Sequence, residues 1–153
     1  MKSALFVGRF QPFHNGHLSV VQMILEKFER VIMVIGSAEE NLTAENPWTA
    51  GERIAMIEAS MKAAGVAAEK YLIVPVRNIH NYALWVDHVR QYVPPFECVY
   101  TGSELVQKCF ERAKVEVVWV ERVMPISGTM VREKMSLGES VSEFVNYGLE
   151  MME

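Results

Sequence analysis

Cysteine is scarce in this sequence, with only Cys98 and Cys109 among 153 residues. Two cysteines without C-x-x-C spacing are too few for a disulfide framework or a cysteine-based metal site, so we expect two reduced, partly buried thiols. Basic residues are also few: fifteen Lys and Arg stand against nineteen Asp and Glu, giving a net charge of −4. Duplex-binding proteins depend on a basic face, so this balance argues against a nucleic-acid partner. A small phosphate ligand, which needs only two or three local cations, is compatible with it.

Long hydrophobic runs are missing as well. The longest, such as residues 31–35 and 117–120, are far shorter than the ~18 residues of a membrane span. The N-terminal apolar stretch is only about four residues long before Gly8 and Arg9 interrupt it, which is unlike a signal peptide. We therefore expect a cytoplasmic protein with no membrane partner.

The sequence does contain short apolar runs that alternate with amphipathic stretches, and no low-complexity linker divides them. The runs predict strands over residues 4–7, 31–35, 71–76, 97–100 and 115–120. They are apolar on both faces, which is typical of parallel strands covered by helices on each side. Helices are predicted over 17–28, from a capping box at Thr49 to Gly65, over 82–92 and over 103–113. One or two short helices, broken at Gly138, are expected from about 129 to 152.

This alternation predicts an α/β fold: a Rossmann-like, doubly wound, mostly parallel sheet of five to six strands with helices on both faces. Ligands of such sheets bind beyond the carboxyl ends of the strands, where the winding reverses. The loops after the first, second, third and fifth strands are therefore the places where a site is expected.

The loop after the first strand, GRFQPFHNGH at residues 8–17, opens the first helix and holds two of the four histidines. A helix N-terminus attracts phosphate through its free amides and partial positive charge. Gly16 would let a phosphate approach the backbone, and His14 and His17 could donate hydrogen bonds to its oxygens. On spacing alone, surface histidines or part of a zinc site remain alternatives. The loop has neither the dinucleotide fingerprint G-x-G-x-x-G nor a P-loop.

The same loop resembles the G-x-F-x-P-x-H-x-G-H signature of the HxGH nucleotidyltransferase superfamily. Near the end of the chain, ISGTMVR at 126–132 resembles that superfamily's I-S-S-T-x-x-R, with Gly128 in place of the middle serine. Residues 35–38, 46–53 and 81–86, with PPF at 94–96 and VYTG at 99–102, are similar to archaeal-type nicotinamide-mononucleotide adenylyltransferases. The similarity extends from Leu5 to about Arg132 and fades beyond it.

The resemblance implies a single nucleotidyltransferase domain over residues 1–153, with a C-terminal helical segment from about 129. It implies adenylyl transfer from ATP to nicotinamide mononucleotide (NMN), giving NAD and pyrophosphate by direct in-line attack on the α-phosphorus. Mg²⁺ would arrive with the ATP, and a homo-oligomer is expected. The implied catalytic residues are His14, His17 and Arg132. The implied ATP ligands are Gly8, Arg9, Phe10, Gly16, Ser127 and Thr129, and the implied nicotinamide-nucleotide ligands are Ser37, Asn81 and Trp85.

Taken singly, some of these residues also fit a purely structural role. Ser127 and Thr129 fall where a helix should begin, and Arg132, expected in its first turn, could clamp the outer phosphates of a triphosphate. A capped surface helix with a solvated arginine would give the same pattern. Trp85 could stack on a nicotinamide cation, or it could be a core residue at helical spacing with Val89.

Three further large side chains lie outside these sets of ligands. Trp48 and Trp119 we interpret as structural. Arg53 could reach the mouth of the site or form a salt bridge on a helix face, and the sequence leaves both open.

Rival functions stay open on the sequence alone. One is an adenylyl- or cytidylyltransferase of the same mechanism with another acceptor, such as FMN or phosphopantetheine, and Asn81 and Trp85 argue against it. Another is a catalytically silent nucleotide sensor, which the retained His14, His17 and Arg132 argue against. A dinucleotide-dependent oxidoreductase comes third, because its glycine fingerprint is missing. The choice between a nicotinamide and a nicotinate nucleotide is undecided.

Overall fold

Parallel strands form the single sheet of the computed structural model, which describes residues 1–121 and 124–153. The strands are β1 (Ser3–Gly8), β2 (Arg30–Ile35), β3 (Tyr71–Pro75), β4 (Cys98–Thr101) and β5 (Glu116–Trp119). Their order across the sheet is β3-β2-β1-β4-β5, so the winding reverses at β1. Each strand lies within one residue of its predicted bounds, and the predicted doubly wound α/β fold is confirmed.

The two central strands are apolar on both faces because each face is covered. Phe6 pairs with Met33, and both side chains belong to one buried cluster. Leu5 pairs with Ile32, and both belong to a second cluster on the opposite side of the sheet. Successive side chains of a strand point to opposite faces, so a continuous apolar run supplies two cores at once.

Helices cover both faces. The first cluster is closed by α1 (Asn15–Leu25), α2 (Ala50–Ala63) and α5 (Gly128–Ser136), and the second by α3 (Tyr82–Arg90) and α4 (Glu104–Arg112). The α5 helix ends before Gly138, whose φ of +73° suits glycine, so the predicted break is confirmed. Short 3₁₀ turns follow at Ala68–Lys70, Ser142–Phe144 and Leu149–Met152.

The C-terminal segment, residues 141–152, is tied to the loop before α1 and to α2. The Tyr147 hydroxyl donates to the carbonyl oxygen of Phe13. Asn146 and Ser60 exchange two hydrogen bonds, one of them from Asn146 Nδ2 to the Ser60 carbonyl at 3.0 Å. The indole Nε1 of Trp48, which is 5% exposed, donates to the carbonyl oxygen of Met152 at 3.1 Å. The interpretation of Trp48 as structural is therefore confirmed, and the segment supports the histidine-bearing loop from behind.

Replacing Tyr147 with phenylalanine is expected to lower the free energy of unfolding by about 1–3 kcal/mol, because the buried Phe13 carbonyl loses its donor. Urea unfolding followed by circular dichroism measures this. Tyr92→Phe is the matched control, since that side chain is 57% exposed and its loss of a hydroxyl should change little. Equal unfolding midpoints for Tyr147→Phe and the unchanged protein would contradict the prediction.

Both cysteines are free thiols, as the sequence predicts, and both are buried rather than partly buried. Burial raises the pKa of the Cys98 thiol to about 11, with the nearby Glu116 and Glu97 carboxylates adding to the effect.

Within the described residues, no helix has the length and apolar character needed to cross a membrane.

Candidate active site

Two cavities meet at the carboxyl end of β1. The histidine cavity, of about 460 Å³, lies between the starts of α1 and α5, and its lining includes His14, His17, Ser127 and Gly128. The tryptophan cavity, of about 340 Å³, lies on the other side of β1, and its lining includes Arg9, Ser37, Asn78 and Trp85. Gly8 lines both. The position is the winding reversal at which ligands of doubly wound sheets bind, as predicted.

A third and wider groove lies between α3 and α4, but none of the sequence-predicted site residues lines it. We therefore place the candidate site at the two cavities beside β1.

The two histidines of the first loop cap α1 reciprocally. His14 Nδ1 accepts hydrogen bonds from the backbone amides of Gly16, at 3.1 Å, and His17, at 3.4 Å. His17 Nδ1 accepts one from the backbone amide of His14 at 3.1 Å. This is a capping box in which imidazoles replace the usual hydroxyl and carboxylate, and it makes α1 begin at Asn15, two residues before the predicted start. Because each Nδ1 is an acceptor, each neutral ring carries its proton on Nε2.

The His17 ring lies in an aromatic environment. It stacks on His14, with 3.7 Å between ring centroids, and on Phe13 at 5.3 Å, and it meets the Phe10 ring edge-on at 4.9 Å. Burial lowers the pKa of His17 well below the usual 6.5, and a positive charge on His14 would lower it further. His17 is therefore neutral at pH 7 and presents an Nε2–H donor rather than a cation.

This lowered pKa has a consequence for stability. Below pH 6.5 the unfolded chain protonates His17 while the folded chain keeps it neutral, so the unfolded state binds more protons. The free energy of unfolding should then fall as the pH drops from 6.5 towards the folded pKa, by up to about 1.4 kcal/mol per pH unit from this group. Urea unfolding at several pH values measures the slope. His17→Asn should make it shallower between pH 6.5 and 5, and an unchanged slope in that variant would contradict the assignment.

Glycine is required at the end of β1 by a close approach. A Cβ at Gly8 would lie 2.9 Å from the Phe10 ring. Phe10, expected among the ATP ligands, has a φ of +56°, and its side chain is 1% exposed. The structure thus packs the Phe10 ring beside His17, where it supports the imidazole, and the ring is not among the residues that line either cavity.

The end of the last motif forms the opposite wall of the histidine cavity. Ser127 is the N-cap of α5, and its Oγ accepts from the backbone amide of Met130 at 3.1 Å. The helix begins at Gly128, so Arg132 lies in its second turn, which corrects the expected first turn. Arg132 donates from Nη1 to the Gln11 carbonyl at 2.7 Å and from Nη2 to Thr129 Oγ1 at 3.2 Å. The guanidinium thus links the two motifs that the resemblance is based on.

Further charges surround the guanidinium of Arg132. Burial lowers its pKa, the Glu45 carboxylate opposes that change, and the positive charge of Arg9 adds to it. Arg9 itself is exposed and donates from Nη1 to Asn46 Oδ1 at 3.5 Å. The positive charges of Arg9 and Arg132 therefore act on each other.

Three residues expected to bind the nicotinamide nucleotide are placed differently from one another. Trp85 lines the tryptophan cavity and also packs edge-on against Phe110, at 5.8 Å between ring centroids. Its side chain therefore forms part of the cavity wall and part of the hydrophobic core. Ser37, with a φ of +49°, lines the same cavity. Asn81, the N-cap of α3, is exposed and is not among the lining residues, whereas Asn78 from the same loop is. The sequence could have suggested Asn78, because it is a second amide side chain in the same loop, three positions before Asn81.

The interpretation of Trp119 as structural is corrected. It is the last residue of β5, its side chain is 38% exposed, and it lines the histidine cavity. Its predicted position near the carboxyl end of the fifth strand could have indicated that it lies close to the site. Arg53 lies at neither of its two expected places: its side chain is completely buried beneath the loops that follow β1 and β2.

The side chains suited to metals are dispersed. In residues 1–121 and 124–153, no three His, Cys, Asp or Glu side chains are grouped so that they could hold an ion. The zinc alternative for His14 and His17 thus has no further ligands among the residues described.

Residues 5–134 match the cytidylyltransferase-like family. A protein of Ignicoccus hospitalis named nicotinamide-nucleotide adenylyltransferase is 50% identical over 115 residues, covering 75% of this chain and 67% of the relative. A second protein of that name, from Methanocorpusculum labreanum, is 40% identical over 147 residues, covering 95% of this chain and 86% of the relative.

The fold is similar to a crystal structure described as a bifunctional NMN adenylyltransferase/ADP ribose pyrophosphatase from Francisella tularensis. The TM-score is 0.81 at 22% identity, over 95% of this chain but 45% of that one. Another structure of the same description, complexed with AMP and a manganese ion, gives a TM-score of 0.80 at 23% identity. This chain spans less than half the length of either, and the likeness supports the fold.

Proposed function

Because the chain belongs to the nicotinamide-nucleotide adenylyltransferases within the cytidylyltransferase-like family, we infer that it makes NAD and pyrophosphate from ATP and NMN. A 5′-phosphate oxygen of NMN forms a bond to the α-phosphorus of ATP, and the bond from that phosphorus to the bridging oxygen of the β-phosphate breaks. The electron pair leaves with pyrophosphate. One observation carries the proposal for where this happens: two histidines, of which burial keeps His17 neutral, cap α1 where two cavities meet at Gly8.

The histidine cavity is proposed as the ATP site. The Nε2–H donors of His14 and His17 would contact oxygens of the α-phosphate, where negative charge builds up during the reaction. Gly16, which has no side chain, would let the phosphate approach the backbone. A neutral donor suits this position because its proton is present at pH 7 and its ring is already oriented by the helix cap. Arg132 would bind the outer phosphates from α5. Arg9 lines the tryptophan cavity and would reach the same phosphates from the junction of the two cavities.

We propose that the remaining ATP ligands act at the same cavity. Ser127 and Thr129 stand at the start of α5, beside Arg132, and would assist it at the outer phosphates. Gly8 and Phe10 would act by shape, keeping the floor of the site narrow and the His17 ring in place.

The tryptophan cavity is proposed as the NMN site, with Trp85 against the nicotinamide ring and Ser37 and Asn81 as polar contacts. Asn78 is added because it lines the cavity. Trp85→Phe should raise the KM for NMN several-fold and leave the KM for ATP unchanged, since the smaller ring keeps an aromatic face but loses area. Trp119→Phe, in the other cavity, should do the reverse. Steady-state kinetics with each substrate varied measures both, and exchanged effects would contradict the assignment of the cavities.

We further propose that Mg²⁺ enters bound to ATP. Mg²⁺ bound to a nucleotide takes its oxygens mainly from phosphates and water. When bound, the ion neutralises charge on the leaving pyrophosphate.

Two proposals concern the whole chain: residues 1–153 form one nucleotidyltransferase domain, and the chain assembles as a homo-oligomer. Light scattering after size exclusion tests the second, and a monomeric mass at working concentration would overturn it.

The activity is tested by an end-point assay of pyrophosphate release with ATP, Mg²⁺ and one acceptor at a time. The acceptors are NMN, nicotinate mononucleotide, FMN and phosphopantetheine, and His17→Asn protein serves as the control for contaminating activity. Release with NMN, with NAD as product, supports the proposal. Release only with FMN or phosphopantetheine would keep the mechanism and replace the acceptor. Binding of ATP without release with any acceptor would favour the silent sensor.

A further inference from the structure

The side chain of Arg53 is completely buried, and all of its hydrogen bonds go to main-chain carbonyls. Nη1 donates to Arg9 at 3.0 Å and Gly36 at 3.3 Å. Nη2 donates to Ser37 at 3.3 Å and to Ala38 and Glu40, each at 3.2 Å. Nε donates to the carbonyl of Thr49, the N-cap of α2, at 3.2 Å. One guanidinium thus joins three separate parts of the chain.

A buried cation whose hydrogen bonds all go to carbonyls is costly unless the geometry is met closely. Burial lowers the pKa of Arg53, but a guanidinium stays protonated and keeps its five N–H donors in a rigid planar fork. A lysine ammonium has three donors on a flexible stem and cannot reproduce this fork. The carbonyls are therefore held in one specific arrangement that only arginine can supply.

The carbonyls that Arg53 binds belong to the loops that form the tryptophan cavity. Arg9, Gly36 and Ser37 all line that cavity, in the loops that follow β1 and β2. Two residues of these loops, Phe10 and Ser37, have positive φ values of +56° and +49°. A side chain larger than glycine is strained in this left-handed region and stays there only when its surroundings impose it. Arg53 binds the carbonyl of Ser37 itself and the carbonyl of Arg9, one residue before Phe10.

We propose that Arg53 is a positioning residue for the acceptor nucleotide: it holds the loops after β1 and β2 at the separation that NMN needs. The inference rests on the proposed function for the identity of the acceptor. It concerns the tryptophan cavity, because the histidine cavity is built mainly by α1, α5 and the ends of β4 and β5, which Arg53 does not bond.

The test compares Arg53→Lys with Arg30→Lys. Arg30 opens β2 at the opposite edge of the sheet and donates from Nε to Ser3 Oγ at 3.1 Å, so the same exchange there is a matched control. Arg53→Lys should raise the KM for NMN by about ten-fold or more. The KM for ATP and the kcat should change by less than about three-fold. Arg30→Lys should leave all three near the values of the unchanged protein.

Two further measurements separate positioning from general stability. Circular dichroism and urea unfolding give the folded fraction of each variant, and kinetics are compared at equal folded concentration. Methylguanidinium at millimolar concentration, added to Arg53→Ala, should lower the KM for NMN by refilling the fork, with no such effect on Arg30→Ala. If both KM values rise together, if a folded Arg53→Lys keeps its KM for NMN, or if no Arg53 variant folds, the inference is overturned.

Failure of the proposed function is distinguishable from failure of this inference. NMN binding is measured without turnover, by the quenching of tryptophan fluorescence in the absence of ATP. An unchanged protein that binds NMN but makes no NAD would overturn the proposed function, and weaker NMN binding by Arg53→Lys would still support the inference. An unchanged protein that binds no NMN would overturn both.

Discussion

Replacing His17 with asparagine is expected to lower the kcat for NAD formation by about 10²–10³-fold while leaving the free energy of unfolding nearly unchanged. Asparagine Oδ1 stands near the place of Nδ1, so it can still accept from the backbone amide of His14 and keep the cap of α1. What disappears is the Nε2–H donor that we assign to the α-phosphate. A donor used mainly in the transition state lowers kcat rather than raising KM.

The matched control is His17→Gln, which keeps a donor near Nε2 and loses the acceptor at Nδ1. Glutamine places its amide nitrogen near the position of Nε2 but has no acceptor at the position of Nδ1. His17→Gln should therefore lose stability, by about 1 kcal/mol as for other lost caps, and retain more of the kcat than His17→Asn. Rapid-quench or coupled steady-state assays give the kcat, and urea unfolding gives the stability. A kcat near that of the unchanged protein in folded His17→Asn would remove His17 from the mechanism.

Arg132→Ala is expected to lower kcat/KM for ATP by about 10²-fold or more, since one or two charge-assisted hydrogen bonds of ~1.5–3 kcal/mol each would be lost. The guanidinium lies between the two sequence motifs, hydrogen-bonded to the Gln11 carbonyl and to Thr129 Oγ1. Arg132→Lys keeps the charge but not the planar fork, so it should recover only part of the loss.

Lys134→Ala is the control for this prediction. Lys134 lies on the same helix and pairs with Glu139 at 3.4 Å on the surface, so its removal should change kcat/KM little. Steady-state kinetics with ATP varied at saturating NMN compares the three variants. Equal effects of Arg132→Ala and Lys134→Ala would show that Arg132 acts only as a surface charge.

The sheet could be predicted from the sequence because its signal is local. A strand buried on both faces must be apolar at every position, so residues 31–35 identify β2 without knowledge of what covers it. The first loop was found for a similar reason, since all of its groups lie within ten consecutive residues. The cap on α1 was not foreseen, because histidine is an unusual N-cap, and the predicted start of that helix was two residues late.

The residues that were missed depend on contacts between distant parts of the chain. The acceptors of Arg53 lie up to 44 positions away, so its role is invisible in the sequence around it. Trp119 was misjudged because exposure at the end of a strand depends on the loops that cover it. Which of Asn78 and Asn81 faces a cavity depends on the conformation of a loop that includes His80, whose φ is +55°. In each case the sequence shows which residue is present, but it does not show which distant residues surround the side chain.

The placement of two cavities on either side of Gly8 has a consequence for the end of the catalytic cycle. In the proposed assignment ATP and NMN each occupy one cavity, and NAD, which joins an adenosine half to a nicotinamide half, would extend across both. When one half detaches, the tether keeps it at a high effective concentration near its own cavity, so recapture competes with escape. Departure of NAD therefore requires both halves to be free at the same time. The same arrangement makes the finished dinucleotide a rival of both starting compounds, so an accumulating pool of NAD would slow its own synthesis without any separate regulatory site.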